Sequence, residues 1–198
     1  DDRDEDADVR TGLGSKDDEE DEAADEPAAE NGEEEPKPQV WLFDLALGGD
    51  AQQVTAFEEG VREFDWEPNG NRLVVTAGDP TDAESQYLDE RKDGGPVETE
   101  RTQHKLDGVG WLDTVTSYLF VVGEDAVHGD TAADAESARK LENAYGQGAF
   151  EGLSGLQPDW GAGGDIAFVS CREPEPDSTL ITDVLTVPAQ GGSATAVT

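Results

Sequence analysis

The chain has 198 residues, of which 48 are Asp or Glu and 13 are Lys or Arg, so its formal net charge is −35. A charge of this sign repels a phosphate backbone, which argues against nucleic-acid binding. The sequence contains no run of about 18 apolar residues, so no transmembrane helix and no membrane partner are predicted. One cysteine, Cys171, and two histidines are too few for an internal disulfide or a cysteine-rich zinc site, and we expect no metal or other cofactor.

The first 38 residues form a strongly acidic segment. They carry 18 acidic and 4 basic side chains, and their only large apolar residues are Val9 and Leu13. Such a segment cannot bury enough apolar surface to offset its chain entropy, so residues 1–38 are predicted to be disordered. A solvated loop is the simplest interpretation, and a docking arm for a basic partner is the alternative. The other 160 residues are also acidic, with 30 acidic and 9 basic side chains. This pattern indicates a cytoplasmic protein of a salt-accumulating halophile.

Two segments far apart in the chain have similar sequences. Residues 40–55 read VWLFDLALGGDAQQVT and residues 183–198 read DVLTVPAQGGSATAVT, and they agree at 7 of 16 ungapped positions. Each has an apolar run, a Gly-Gly turn and a short polar run that ends in Val-Thr. This order of residues is typical of a β-hairpin.

A second repeat combines an Asp-Trp pair, a glycine-containing turn and an apolar strand. It occurs at residues 63–77 (EFDWEPNGNRLVVTA) and again at residues 157–171 (QPDWGAGGDIAFVSC). Glycine, proline and asparagine supply the turn between the tryptophan and the strand. A tryptophan at a fixed place in a repeat is expected to fill the core between sheets rather than to stack on a ligand.

A third copy of the hairpin is predicted to be split by an insertion. Residues 117–122 (SYLFVV) match its first strand, and residues 137–142 (SARKLE) match its second strand, with Leu141 at the place of Val54. Residues 123–136 would then form an acidic hairpin loop. The composition of residues 132–145 also suits a short helix, but the repeat favours the strand.

The order of units is therefore hairpin, Asp-Trp unit, hairpin, Asp-Trp unit, hairpin. One Asp-Trp unit and the hairpin after it make four antiparallel strands, which is a propeller blade. The predicted fold class is all-β: a partial β-propeller of about two and a half four-stranded antiparallel blades. The absence of Met and the position of Thr198 inside the last predicted strand suggest a fragment of a longer protein. The predicted boundaries are an acidic disordered segment at 1–38 and a propeller fragment at 39–198, which divides into the end of one blade (39–59), a blade (60–142) with an inserted loop (78–116), a linker (143–155) and a blade (156–198).

The hairpin and Asp-Trp sequence of residues 39–77 resembles the propeller repeats of the prolyl oligopeptidase family of serine peptidases. Residues 101–120 (RTQHKLDGVGWLDTVTSYLF) add a more specific resemblance, to acylaminoacyl-peptidase-like members, in which an Arg precedes a Lys-x-Asp-Gly-x-Gly motif. The acidic surface resembles that of haloarchaeal proteins. The resemblance covers residues 39–198, and TolB-like propellers share its hairpins and Asp-Trp units. The residues at the motif positions are Arg101, Lys105, Asp107, Gly108 and Gly110.

The resemblance implies a non-catalytic propeller that restricts access of short peptides to an α/β-hydrolase domain. Its expected partners are short peptides and the chain's own C-terminal hydrolase domain, which would lie outside these 198 residues. The nucleophile of that domain stands in a Gly-x-Ser-x-Gly elbow. Residues 152–155 (GLSG) have one residue too few between their glycines to be that elbow. We therefore predict no catalytic residue in this chain, and a serine peptidase as its parent.

Three polar residues of the insertion are candidate substrate contacts. Arg101 is expected either to pair with an acidic neighbour or to bind a peptide carboxylate through two hydrogen bonds. His104 and Asp107 are three residues apart in a polar segment, where they either orient a substrate or are ordinary loop residues. The alternative for the whole chain is a TolB-like or WD-type propeller that acts as a protein-interaction module, with more blades and no hydrolase.

Overall fold

The structure is a computed structural model that describes residues 36–46, 48–99, 101–106, 110–112 and 115–197. Most of the predicted disordered segment lies outside these ranges. In chain order the strands are β1 (Trp41–Leu42), β2 (Gln52–Gln53), β3 (Val61–Trp66), β4 (Leu73–Gly78), β5 (Lys105–Leu106), β6 (Gly110–Trp111), β7 (Ser117–Val122), β8 (Arg139–Tyr145), β9 (Asp159–Trp160), β10 (Asp165–Ser170), β11 (Asp183–Pro188) and β12 (Thr195–Ala196). The α-helices are α1 (Asp82–Lys92), α2 (Glu124–Val127) and α3 (Glu151–Ser154), and a 3-10 turn spans Pro176–Ser178.

Two four-stranded antiparallel sheets form most of the fold. The first sheet has the order β3-β4-β7-β8, and the second has the order β12-β11-β10-β9. Each sheet consists of one Asp-Trp unit followed by one hairpin, as the repeats predict. The two-stranded hairpin β1-β2 precedes them. The predicted fold class, an all-β partial propeller, is therefore confirmed.

Two apolar cores hold these layers together. The first core lies between the β1-β2 hairpin and the first sheet, and the second core lies between the two sheets. Alternate residues of each strand point to opposite faces, so Leu73 of β4 enters the first core while Val74 enters the second. Trp160 is buried in the second core, and Trp66 packs against the first. The tryptophans thus fill space between sheets, as predicted.

Residues 139–145, whose sequence suits either a strand or a short helix, form strand β8. Strand β8 begins at Arg139, two residues later than predicted, because residues 134–137 form a closed turn. In that turn Asp134 Oδ1 accepts the backbone N–H of Ser137 at 2.8 Å, and Ser137 Oγ accepts the N–H of Asp134 at 3.0 Å. The Ser137 hydroxyl also donates to Asp134 Oδ1 at 2.7 Å, and this hydrogen bond is the largest cause that lowers the pKa of Asp134 below its ordinary value. Strand β8 also continues to Tyr145, into the residues expected to form a linker.

The insertion expected as a loop at residues 78–116 contains regular structure. Helix α1 begins with a capping box in which Thr81 Oγ1 accepts the N–H of Glu84, and Glu84 Oε2 accepts the N–H of Thr81 at 2.7 Å. The Tyr87 hydroxyl accepts the N–H of Glu98 at 2.7 Å and ties the returning chain to the helix. Strands β5 and β6 then pair as a small hairpin. None of the helices in the described ranges is long and apolar enough to cross a bilayer.

Candidate functional site

Three connections emerge at the same end of the two sheets because successive strands run in opposite directions. They are the insertion between β4 and β7, the β8–β9 connection with α3, and the β10–β11 loop with the 3-10 turn. We call this the insertion end. The short turns that join β3 to β4 and β9 to β10 lie at the opposite end.

A cleft of about 190 Å³ opens at the insertion end, where the three connections meet. Arg101 and Thr116 reach it from the insertion, Tyr145 from the end of β8, Glu151 from α3 and Asp177 from the β10–β11 loop. Both carboxylates and the guanidinium come from the connections between strands, and the sheets hold these connections in place. The cleft is therefore a polar site between two blades.

Arg101 bridges the two blades across this cleft. Its Nη2 donates to the carbonyl of Gly148 at 3.1 Å, and its Nε lies 3.7 Å from Asp177 Oδ1. Both side chains of the pair are mostly buried. Gly148 has a φ of +128°, and a Cβ there would lie 3.1 Å from Cys171 Cβ. The backbone at residue 148 can therefore lie this close to the Cys171 side chain only because the residue is glycine. The structure thus shows the acidic pairing that was one of the two expectations for Arg101.

Glu151 places a carboxylate beside this bridge. Its Oε1 is buried and has no hydrogen-bond partner in the described part of the chain. The side chain packs against Gly146, where a Cβ would lie 2.5 Å from Oε1. A buried carboxylate oxygen without a donor favours a ligand that brings an N–H or O–H group.

His104 lies in the β5-β6 hairpin, and the contacts of its side chain differ from those of Arg101. Its ring stacks on Trp111 with centroids 5.8 Å apart, and its Nδ1 is 3.2 Å from the carbonyl of Thr102. Lys105 Nζ lies 5.1 Å from the centroid of the Trp111 ring. Both His104 and Trp111 are exposed, so the hairpin presents an aromatic surface to solvent. The third predicted contact, Asp107, lies outside the described residues.

At the insertion end, a row of four side chains consists of two neighbouring tyrosine rings with a cation beside each. Lys140 Nζ lies 3.7 Å from the Tyr118 ring centroid, Tyr118 is 6.1 Å from Tyr145, and Arg172 Cζ is 3.9 Å from the Tyr145 centroid. Burial lowers the pKa of Lys140, but the hydrogen bond and charge of Asp79, 2.7 Å away, outweigh burial and raise it above its ordinary value. Burial lowers the pKa of Arg172. This row fixes the position of Tyr145 in the wall of the cleft.

Sequence reasoning missed four residues of this site: Tyr145, Glu151, Arg172 and Asp177. Asp177 is one of several acidic residues in the loop sequence REPEPDS, and nothing in that pattern distinguishes it from its neighbours. The pairing with Arg101 depends on how the two blades pack. Tyr145 was placed in the predicted linker 143–155, and the structure shows that it ends strand β8.

Ser154 of the GLSG sequence lies at the end of the one-turn helix α3. Its hydroxyl donates to the carbonyl of Phe150 at 3.0 Å, which is a contact within the helix turn. Across the described ranges, no three His, Cys, Asp or Glu side chains lie together in a way that could hold a metal ion.

Solved structures of acylaminoacyl peptidases share this fold. The uncomplexed Pyrococcus horikoshii enzyme superposes with a TM-score of 0.53 at 15% identity, and its orthorhombic crystal form gives 0.52 at 14%. An acylaminoacyl peptidase in complex with Z-Gly-Gly-Phe-chloromethyl ketone gives 0.52 at 15%. In each case the match covers 81% of this chain and 21% of the other, so the chain spans about a fifth of those proteins. No protein-family model and no curated protein matches the sequence. What the chain shares with these peptidases at this identity is the fold.

Proposed function

We propose that this chain is the non-catalytic propeller part of a serine peptidase of the acylaminoacyl-peptidase type, and that it gates the access of short peptides to a hydrolase domain outside these residues. The observation that carries the proposal is the fold likeness to acylaminoacyl peptidases. The Arg-then-Lys-x-Asp-Gly-x-Gly sequence of residues 101–110 supports it. Short peptides and the hydrolase domain are the proposed partners.

The cleft at the insertion end is the proposed contact surface for peptides. Its guanidinium suits a carboxylate, and the buried oxygen of Glu151 suits an N–H donor. A peptide carries both kinds of group. Arg101 keeps N–H groups beyond the two that contact Gly148 and Asp177, because a guanidinium has five.

The proposal is tested by a peptidase assay in molar KCl on the product of the complete gene and on this chain separately. Short chromogenic aminoacyl and N-acylaminoacyl substrates are offered, with a serine-directed fluorophosphonate as the inhibitor. We expect the gene product to be active and inhibited, and this chain to be inactive. Absence of activity from both proteins would contradict the proposal and would favour a propeller that serves as a protein-interaction module.

Replacement of Arg101 by Gln in the complete gene product is expected to raise the KM for peptides that end in a free carboxylate. The reason is the loss of one charge-assisted pair, worth about 1.5–3 kcal/mol or roughly 10–100-fold in binding. The KM for the same peptides with a C-terminal amide should change little, and this pair of substrates is the control. Equal effects on both substrates would mean that Arg101 only joins the two blades.

We further propose that the protein functions in the salt-rich cytoplasm of a halophile. The net charge of −35 makes the folded state repel itself, and salt shortens the screening length from about 10 Å at 0.1 M to about 3 Å at 1 M. The free energy of unfolding, measured by urea titration at several KCl concentrations, should therefore rise with KCl. A free energy that is unchanged or falls between these concentrations would contradict the proposal.

A further inference from the structure

Carboxylates of strand β3 hold the first strand of the second sheet. Asp65 Oδ2 accepts the backbone N–H of Trp160 at 2.7 Å, and Glu63 Oε2 accepts the N–H of Leu156 at 2.9 Å. Strands β3 and β9 are each at the edge of their own sheet, so β9 has backbone donors that no neighbouring strand of its sheet can use. Asp65 satisfies one of these donors, the Trp160 N–H, across the gap between the sheets, and Glu63 holds the residues just before β9. Gly155 makes room for this contact, since a Cβ there would lie 2.5 Å from the Glu63 carboxylate.

The Asp-Trp pair points in two directions, toward both neighbouring layers. In β3, Trp66 lies opposite Leu73 and faces the first core, whereas Asp65 lies opposite Val74 and faces the second sheet. In the first sheet, then, the tryptophan faces the preceding layer and the aspartate faces the following one.

Strand β9 repeats this arrangement one blade later. Trp160 lies opposite Ile166 and faces the second core, whereas Asp159 lies opposite Ala167 on the other face. Asp159 therefore occupies the place of Asp65 in its own blade. Unlike Asp65, it is exposed.

The apolar residues around Asp159 repeat the pattern as well. Leu73 pairs with Val122 in the first sheet, and Ile166 pairs with Val187 at the same place in the second. Leu119 of β7 and Val184 of β11 each lie three residues before the paired valine, so they occupy equivalent positions. Leu119 pairs with Leu141, and in the second sheet the Val197 N–H donates to the Val184 carbonyl at 2.8 Å. Leu119 and Leu141 are 0% exposed beneath the second sheet, whereas Val184 and Val197 are 39% and 64% exposed. The face of the second sheet that carries Asp159 therefore resembles the face of the first sheet that packs on the second, but its apolar residues are exposed.

We propose that this face binds another blade of the same Asp-Trp repeat, and that the Asp159 carboxylate accepts the backbone N–H of that blade's Asp-Trp tryptophan. The interface between the two sheets supplies the template for both the apolar contact and the hydrogen bond. The inference rests on the fold and is independent of peptidase activity.

A second copy of this chain does not fit as the occupant. The tryptophan face of its first sheet is already covered by Val40, Val54 and Phe57 of the first core, and that of its second sheet is covered by the first sheet. Neither blade of another copy can present its tryptophan face to Asp159. The occupant is therefore a blade whose tryptophan face is free.

The test is a tandem chain in which residues 143–198 are repeated after Thr198, because Thr198 corresponds to Glu142 of the preceding blade and the added copy then keeps the natural connection to the blade before it. We expect the added blade to dock and to raise the Tm of the whole chain in a single transition. Asp159→Ala in the original copy should then lower the Tm by about 2–8 °C, because it leaves the tryptophan N–H of the added blade without an acceptor. Asp159→Asn, which keeps an acceptor oxygen, should restore most of the loss.

The matched control is the same Asp159→Ala change made in the added copy, which has no following blade and should leave the Tm unchanged. Hydrogen exchange gives a second measurement, in which the tryptophan N–H of the added copy should be protected only when the original Asp159 is present. An unchanged Tm and an unprotected added blade would overturn the inference. So would equal effects of Asp159→Ala in the two copies. Dimerisation of the 198-residue chain that Asp159→Ala abolishes, measured by ultracentrifugation, would assign the face to a second copy instead.

Discussion

Trp160→Ala is expected to lower the free energy of unfolding by about 3–5 kcal/mol, the range for the loss of a large buried aromatic side chain. Trp160 is only 4% exposed and packs in the core between the two sheets. Arg72 also covers its ring, with Cζ 5.0 Å from the centroid, and Glu67 holds Arg72 through hydrogen bonds of 2.6 and 2.8 Å. The substitution leaves a cavity in the core through which the two sheets contact each other.

Trp41→Ala is the matched control for this prediction. The Trp41 side chain is 55% exposed in the β1-β2 hairpin, so its removal should cost less than about 1 kcal/mol. Urea titrations of both variants in molar KCl give the two differences directly. Equal losses for the two tryptophans would show that Trp160 does not fill the core between the sheets in solution.

The strand order of the fold was predictable from the sequence because the repeats are local. Each Asp-Trp unit and each hairpin carries its own turn residues, and four strands follow from their order in the chain. The register inside each hairpin does not follow from the repeat in the same way. Gln52 pairs with Leu42 in the first hairpin, whereas Thr195, the aligned residue of the last hairpin, pairs with Thr186, one position further along. The core position of the tryptophans could be predicted because a large aromatic at a fixed place in a repeat fills the space between layers.

The candidate site was predictable only in part because it is made between blades. Arg101 was identified from its motif, but its partner Asp177 is 76 residues away in another loop, and only the packing of the two sheets brings them within 3.7 Å. The same is true of the hydrogen bond from Trp160 to Asp65. Strand β8 begins later than predicted because the turn at Asp134 competes with the strand through local side-chain hydrogen bonds.

Leu141→Asp is expected to prevent stable folding of this chain. Leu141 is fully buried in the second core, where a carboxylate would have apolar neighbours and little access to water. An unpaired charge in such a place costs several kcal/mol. A domain is stable by only about 5–15 kcal/mol, so this single change removes most of the margin. Circular dichroism and urea titration in molar KCl should show a chain that is largely unfolded.

Val197→Asp makes the same change in chemistry at the equivalent position of the next blade. Val197 is 64% exposed, so a carboxylate there remains hydrated and should change the free energy of unfolding by no more than about 0.5 kcal/mol. The contrast between the two variants reports mainly the difference in burial, because the position in the repeat and the introduced carboxylate are the same and the side chains removed differ by one methylene group. If Leu141→Asp folds as stably as Val197→Asp, the two sheets do not pack against each other in solution. If both variants are unfolded, the face of the second sheet is covered in the isolated chain, and the open surface around Asp159 does not exist.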